Sequence, residues 1–273
     1  MYSGALRRER EAPGGILCGM GDVVSHFIEE PRSCDYLPGQ RASLEYRVMT
    51  KVGPDELETM LVRGWRRLGP FYYRPACGGC LECVPLRIPV ASFVPSRSQA
   101  RARRRASRLR LQVGLPRADR PRLDLYARWH AAREQRRGWP SVPLGADEYA
   151  LQFAYPHPAG RELTLWDAGR LVAVSLCDVT PRAWSAIYCF YDPDLARLSL
   201  GVANVMFCVE LARARGLSHV YLGYRVLGCP SMRYKEGFRP HELLVGRPGP
   251  DEEPRWISPP GSCFGTSRLV KPL

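Results

Sequence analysis

The sequence predicts an α+β fold organised around a mixed sheet. Three observations carry that prediction. Strand-like runs at 162–167, 171–178 and 184–191 follow one another with only short connections, which is the pattern of antiparallel strands rather than of strands alternating with helices. A long apolar helical run at 200–215 is followed directly by a β-branched and aromatic run at 219–224, adding a strand–helix–strand unit. Ahead of them lies an earlier block with its own strands and helix, ended by an arginine-rich run and a Gly/Pro-rich connection at 114–121, so a smaller N-terminal unit is expected.

The elements follow in chain order. Residues 1–20 are charged, Gly-rich and patternless, and are expected to be disordered. Residues 42–48 alternate polar and apolar side chains, as a half-buried strand does. Gly53 and Pro54 open a helix whose first turn carries Asp55 and Glu56; Leu57, Met60 and Leu61 form its inner face and Gly64 ends it. Residues 65–73 read as strand with a Gly-Pro turn inside. Residues 84–90 read as another, and Pro85 and Pro89 predict an edge position for it.

From Arg97 the chain offers helix formers with no breaker before Gly114. Its arginines fall on every side, and Leu109 and Leu111 are its apolar anchors, so a surface or bridging helix is expected. After the 114–121 connection, Leu123, Leu125, Tyr126, Trp129 and His130 mark an amphipathic helix, and 147–155 a shorter one. The stretch from Asp167 to Arg170 is a hairpin turn. Ser199 is placed to cap the helix at 200–215 and Gly216 to close it. A short strand at 242–245 completes the order. The expected organisation is a disordered 1–20, an N-terminal domain over 21–113, a second domain over 121–250 and a tail over 251–273.

The chain has 273 residues and a net charge of +13, and a surplus of that size favours an anionic partner, most simply nucleic acid. Lysine is confined to positions 51, 235 and 271, so arginine abundance partly reflects base composition, and local concentration is the better signal. Between Arg97 and Arg110, seven of fourteen residues are arginine. No apolar run is long enough to span a membrane and the N-terminus has no secretory pattern, so a cytoplasmic protein is expected. In that compartment ten cysteines do not read as a disulfide framework. Cys177, Cys189 and Cys208 read as small core residues. Cys77, Cys80 and Cys83, at a spacing of three, together with Cys34 form a candidate four-thiolate site for zinc or an iron–sulfur cluster.

The order of antiparallel strands followed by strand–helix–strand matches the GNAT-type acyltransferase fold. The stretches CDYLPGQ (34–40), YRPACGGCLECVPLRI (73–88), FVPSRSQARARRR (93–105), YCFYDPDLARLSLG (188–201) and YLGYRVLGCPSMRYKEGFRP (221–240), in that order, resemble the aminoacyl-tRNA–protein transferases. In the common form of the third motif, SRSQRR, an arginine stands where this chain has Ala100, while Arg101 is kept. The resemblance implies transfer of an amino acid from a charged tRNA to the N-terminal amine of proteins beginning with Asp or Glu, marking them for degradation. Bacterial members typically transfer leucine and eukaryotic members arginine; the short layout here favours leucine, with arginine as the alternative. It also implies an iron–sulfur cluster on the cysteines, by analogy with eukaryotic relatives.

An aminoacyl ester is already activated, so the reaction needs no protein nucleophile. It needs two substrates in register, an acceptor for the amine proton and stabilisation of an oxyanion. Asp192, Tyr191, Tyr224 and Lys235 are the candidate catalytic residues, with Asp192 as proton acceptor or orienter and Lys235 as carbonyl polariser or phosphate contact. Tyr188, Tyr221 and Tyr234 are candidates for stacking or hydrogen bonding near the terminal adenosine. Arg74, Arg87 and above all Arg97 are candidates for the acceptor carboxylate, which a guanidinium meets best. Arg101, Arg103, Arg104, Arg105 and Arg108 are the candidate tRNA phosphate contacts. Two rival classes are a CoA-dependent N-acetyltransferase and a non-catalytic RNA-binding protein. The first is disfavoured because Arg197 to Gly201 lacks the first glycine of the turn that cradles a CoA pyrophosphate, so no CoA is expected. The second leaves the motifs of the later half unexplained.

Overall fold

A computed structural model describes residues 21–137 and 144–259. The expected disorder of 1–20 and most of the expected tail lie outside the described residues. The chain runs β1 (Asp22–Ile28), β2 (Arg32–Ser33), β3 (Arg41–Ala42), β4 (Leu44–Thr50), α1 (Pro54–Val62), β5 (Arg66–Leu68), β6 (Phe71–Pro75), β7 (Val84–Pro89) and α2 (Arg97–Arg105). A 3-10 turn, Ala106–Arg108, leads into β8 (Arg110–Gly114). Then come α3 (Arg120–Arg137), α4 (Ala146–Phe153), β9 (Gly160–Asp167), β10 (Arg170–Val179), β11 (Ala183–Tyr191), a 3-10 turn (Pro193–Leu198), α5 (Leu200–Ala214) and β12 (His219–Arg225). Helix α6 (Pro230–Arg233), a 3-10 turn (Tyr234–Gly237), β13 (Glu242–Leu244) and β14 (Trp256–Ile257) complete the described chain.

The α+β class with a mixed sheet holds. Eight strands form one sheet in the order β14-β13-β7-β12-β11-β10-β9-β8, and four form a second, β1-β4-β6-β5. In the large sheet every pairing is antiparallel except β11 with β12. That parallel pair requires a crossover, and α5 supplies it. Strands β7 and β8 lie in this sheet beside strands from beyond residue 160, and β14, within the expected tail, pairs at its edge.

Three expectations are corrected. Strand β7 is interior, between β12 and β13. Its prolines are tolerated because β13 pairs only with Leu86 and Arg87, between Pro85 and Pro89. The arginine helix stops at Arg105, and Arg110–Gly114 is strand: Leu109 is buried, and the residues after it alternate exposed and half-buried along the edge of the sheet. Ser199 makes no side-chain cap; it sits at φ 54°, in the left-handed region, where the preceding 3-10 turn runs into α5. The Asp167–Arg170 hairpin has positive φ at both Ala168 and Gly169, as a type I′ turn requires.

Three apolar clusters hold the elements. The largest joins α5, Ala106 and Leu109 to the large sheet through Leu86, Ile88, Val172, Trp184 and Val220. A second packs Leu125, Tyr126 and Trp129 of α3 and Tyr149 and Phe153 of α4 on Val174, Leu176 and Phe190. The third packs Leu57, Met60 and Leu61 of α1 on Met49, Trp65 and Tyr72, with Tyr221 reaching in from the large sheet. The predicted inner face of α1 is the observed one. Helix α2 lies on α5, with the buried Ala102 small enough for close approach. A capping box between Ser96 and Gln99 starts it, and Gln99 Nε2 donates to Gly237 O at 2.8 Å. The arginine helix is thereby tied to the turn that carries Tyr234 and Lys235.

Candidate active site

Strands β11 and β12 are paired only over Ala183–Ser185 and His219–Tyr221. Beyond Ser185, β11 continues with β10 as far as Tyr191, while β12 continues with β7 as far as Arg225. The two strands therefore part, and the polar edges of each are open toward the gap. Side chains from β5 and from the 234–237 turn occupy its surroundings.

Arg66 is the first of these. Its Nη2 donates to Ala186 O, the first β11 carbonyl past the paired segment. The guanidinium lies against Gly223, whose φ of +79° belongs to a bulge in β12 and where a Cβ would stand 3.6 Å from Arg66 Nε. Arg66 is 6% exposed, and its Nη1 is buried without a hydrogen-bond partner. Lys235 is the second. It is 8% exposed and donates to Tyr224 O at 2.7 Å. Burial, with the Arg66 cation adding to it, lowers its ammonium to about 7. Among the described residues neither cation has an Asp or Glu ion-pair partner. Cys83 and Cys229 lie close enough to Lys235 for their charge to act on it.

The structure gathers some of the expected residues around this gap. Tyr234 is half exposed on the turn and lies near Tyr191, Cys189 and Arg133. Tyr191 accepts a hydrogen bond from Arg133 Nη2 at 3.0 Å. Tyr224 is buried and donates to Gly64 O at 2.9 Å and Tyr73 O at 3.2 Å, so its hydroxyl is spent on the fold. Tyr188 belongs to the α3–α4 aromatic cluster, stacked on Phe153 and bonded to His130 at 3.0 Å; burial raises its phenol. Asp192 is fully buried and meets Arg170 and Arg128 (2.9 Å to the latter) while accepting from Asp194 N. Burial alone would raise its carboxyl, but the Asp194 amide and the two guanidiniums outweigh it and hold the group below its usual range. That is the chemistry of a cap and an orienter, since a carboxylate so held is a weak proton acceptor.

Others lie elsewhere. Tyr221 is buried at 3% exposure against Trp256, and Arg87 donates to its hydroxyl at 3.2 Å and to Glu242 at 2.6 Å. Arg74 donates to Glu45 at 2.6 Å and sits over Trp65. Both guanidiniums already hold a carboxylate of this chain. Arg97 is exposed at the start of α2. On that helix Arg103 pairs with Glu210 at 2.8 Å and covers Phe207, Arg105 donates to Arg197 O at 3.1 Å, and Arg108 pairs with Asp167 at 3.1 Å. Arg97, Arg101 and Arg104 are exposed on the side away from Gln99 and Ala102.

Cys34, Cys77, Cys80 and Cys83 are free thiols of intermediate exposure, drawn together by the fold. Burial and the charges of the other three push the Cys83 thiol up to about 12. Arg247 donates to the carbonyls of Cys77 (2.9 Å) and Cys80 (2.6 Å), fixing the loop. Four free thiols are a donor set that zinc or an iron–sulfur cluster takes. As placed, no group of three or more His, Cys, Asp or Glu among the described residues is arranged to hold a metal ion, so a bound ion would need the sulfurs to close in.

Sequence reasoning missed Arg66, Arg133 and His130. Two adjacent arginines, 66 and 67, inside an otherwise strand-like run invite a question about partners, but the sequence does not say which of them is buried without one. Arg67 has the partner, Asp178. Arg66 does not.

Comparison with known proteins finds one family matching the chain in two segments. "Arginine-tRNA-protein transferase, N terminus" matches residues 32–101, and "Arginine-tRNA-protein transferase, C terminus" matches 121–245. The aspartate/glutamate leucyltransferase of Halorhodospira halophila is 37% identical over 215 residues, covering 78% of this chain and 91% of that protein. Those of Pseudomonas fluorescens and Campylobacter jejuni are 34% and 32% identical, covering 86% and 78% of this chain and 97% and 90% of theirs. Among solved structures, FemX is similar with a TM-score of 0.41 at 11% identity, covering 67% of this chain and 63% of that one, and L-PGS from Bacillus licheniformis with 0.39 at 14%, covering 64% and 51%.

Proposed function

The chain belongs to the arginine-tRNA-protein transferase family, and from that premise we propose that it transfers leucine from leucyl-tRNA to the N-terminal amine of proteins beginning with Asp or Glu. The observation that carries the donor and acceptor assignment is the identity of 32–37% to curated leucyltransferases over nine-tenths or more of their length. The product enters N-degron-dependent degradation, as is general for the family. Among the described residues, no helix is long and apolar enough to cross a membrane. The three consecutive antiparallel strands, the parallel β11–β12 pair and its α5 crossover support a GNAT-like reading of the large sheet. The four-stranded sheet and the α1 core, which Ala159, Ala183 and Tyr221 of the later half complete, support a smaller cysteine-containing unit beside it.

The chemistry fits the gap between β11 and β12. The acceptor amine nitrogen attacks the ester carbonyl carbon; the C–N bond forms, the bond to the ribose oxygen breaks, and that oxygen leaves with a proton. Lys235, neutral in part of the population near pH 7, takes the proton the amine loses. Tyr191, held by Arg133, and the half-exposed Tyr234 line the approach and suit the terminal adenosine. Arg97, Arg101 and Arg104, with Arg103, Arg105 and Arg108 beside them, form the phosphate-facing surface, and Gln99 couples that helix to the Lys235 turn. Charge reversal at Arg101 and Arg104 is expected to weaken tRNA binding and to flatten its salt dependence by about one to two units of slope. Binding measured across a salt series checks it, and an unchanged slope contradicts it.

Cys34, Cys77, Cys80 and Cys83 would hold zinc or an iron–sulfur cluster, which would clamp the loop behind Lys235 and take no part in the transfer steps above. Elemental analysis and absorption spectra of anaerobically purified protein are expected to find it; folded, fully active, metal-free protein contradicts it. The function itself is tested by transfer of labelled leucine from leucyl-tRNA to a peptide beginning with Asp.

A further inference from the structure

Arg66 is a buried cation with an unfilled bond. Its side chain is 6% exposed, one end group is committed to Ala186 O, and the other, Nη1, has no acceptor. A guanidinium N–H left unpaired in a dry site is costly, so the arrangement is complete only with an acceptor oxygen supplied from outside the chain. The surroundings specify the charge of that oxygen. Lys235 is a second buried basic group close by, and no Asp or Glu among the described residues pairs with either. A desolvated guanidinium without a counter-ion favours an anion. The place is specified too. Arg66 lies where β11 and β12 part, with Gly223 leaving room for the guanidinium and Ser185, the last paired residue, presenting another buried hydroxyl without a partner.

We propose that Arg66 reads the side-chain carboxylate of the acceptor's N-terminal Asp or Glu, with Nη1 as the donor and Lys235 as its neighbour across the site. This rests on the leucyl-transfer reading of the chain. A carboxylate is favoured over a tRNA phosphate because the free donor is enclosed and a phosphodiester would bring both flanking nucleotides to it. The assignment also orients the chemistry. In Asp and Glu only a short tether separates the carboxylate from the α-amine, so a carboxylate on Arg66 brings the amine to Lys235. The other guanidiniums considered for this role are less suited. Arg74 and Arg87 hold Glu45 and Glu242, and Arg97 is exposed on α2.

The test uses the full chain, leucyl-tRNA and peptides beginning with Asp, Asn, Glu and Gln, and measures kcat/KM for each. The wild-type protein is expected to prefer Asp over Asn by about 100-fold, within the range for an enclosed charge pair. In Arg66→Gln that preference is expected to fall to within about 3-fold, because transfer to the Asp peptide drops while the Asn peptide is little changed. Arg66→Lys, which keeps the charge on a shorter reach, is expected to retain part of the preference and carries the test if the glutamine variant does not fold. Equal losses for Asp and Asn peptides in both variants would mark Arg66 as structural and overturn the proposal. So would a raised KM for leucyl-tRNA with the Asp/Asn preference intact, which would assign the residue to the nucleic acid. A wild-type protein that transfers nothing to any peptide fails earlier and counts against the leucyl-transfer reading itself.

Discussion

Lys235→Met is expected to lower kcat for leucine transfer by roughly 100- to 10,000-fold, the usual worth of a positioned proton acceptor. The side chain is buried, its amine is held by Tyr224 O, and burial with the nearby Arg66 cation brings it to about 7. The sign follows. The ammonium cannot accept a proton, so activity that depends on the free amine rises as pH passes upward through about 7 and levels above it. The α-amine of the peptide titrates in a neighbouring range and adds its own rising limb in both proteins. The difference between the two profiles isolates Lys235. The other groups that act on it, Arg66, Cys83 and Cys229, remain in the variant. A methionine variant with wild-type kcat, or with the same limb near pH 7, would remove Lys235 from the chemistry.

The largest expected effect on stability lies at Asp178. Its carboxylate is 1% exposed and pairs with Arg67, itself 6% exposed, whose remaining Nη1 donates to Gly69 O at 2.9 Å. Arg67 belongs to β5 of the small sheet and Asp178 to β10 of the large one, so the pair ties the two sheets together. Asp178→Ala leaves a buried guanidinium without its counter-ion and is expected to cost about 3–5 kcal/mol. Replacing both residues by apolar side chains of similar volume is expected to recover most of that loss, because the desolvation penalty goes with the charges. Urea unfolding of the single and double variants checks both statements. A single variant within about 1 kcal/mol of wild type would show that water reaches the pair.

Much of this architecture was legible because local rules and tertiary packing agree. The meander from Gly160 to Tyr191, the buried α5 and the inner face of α1 each carry a periodicity that the core then satisfies. The errors fell where tertiary context overrode local preference. Pro85 and Pro89 argued for an edge, yet a partner as short as β13 fits between them. Helix-forming residues after Arg105 become strand because β9 offers its edge there. At the candidate site, Lys235 and Tyr191 could be named from motifs, but Arg66 could not. What marks Arg66 is an empty bond on a buried atom and a missing carboxylate, and both are relations among β5, β11, β12 and the 234–237 turn. The same holds in reverse for Tyr221 and Tyr224, whose motif positions invite a substrate role and whose hydroxyls are engaged within the protein.

The most direct test of the central claim supplies the protein with leucyl-tRNA and arginyl-tRNA together, each carrying a different label, and an acceptor peptide beginning with Asp. Leucine label alone is expected on the peptide's N-terminal amine, and none on an otherwise identical peptide whose amine is acetylated. Arginine label in its place would contradict the leucine assignment, and label on neither peptide would contradict the transferase.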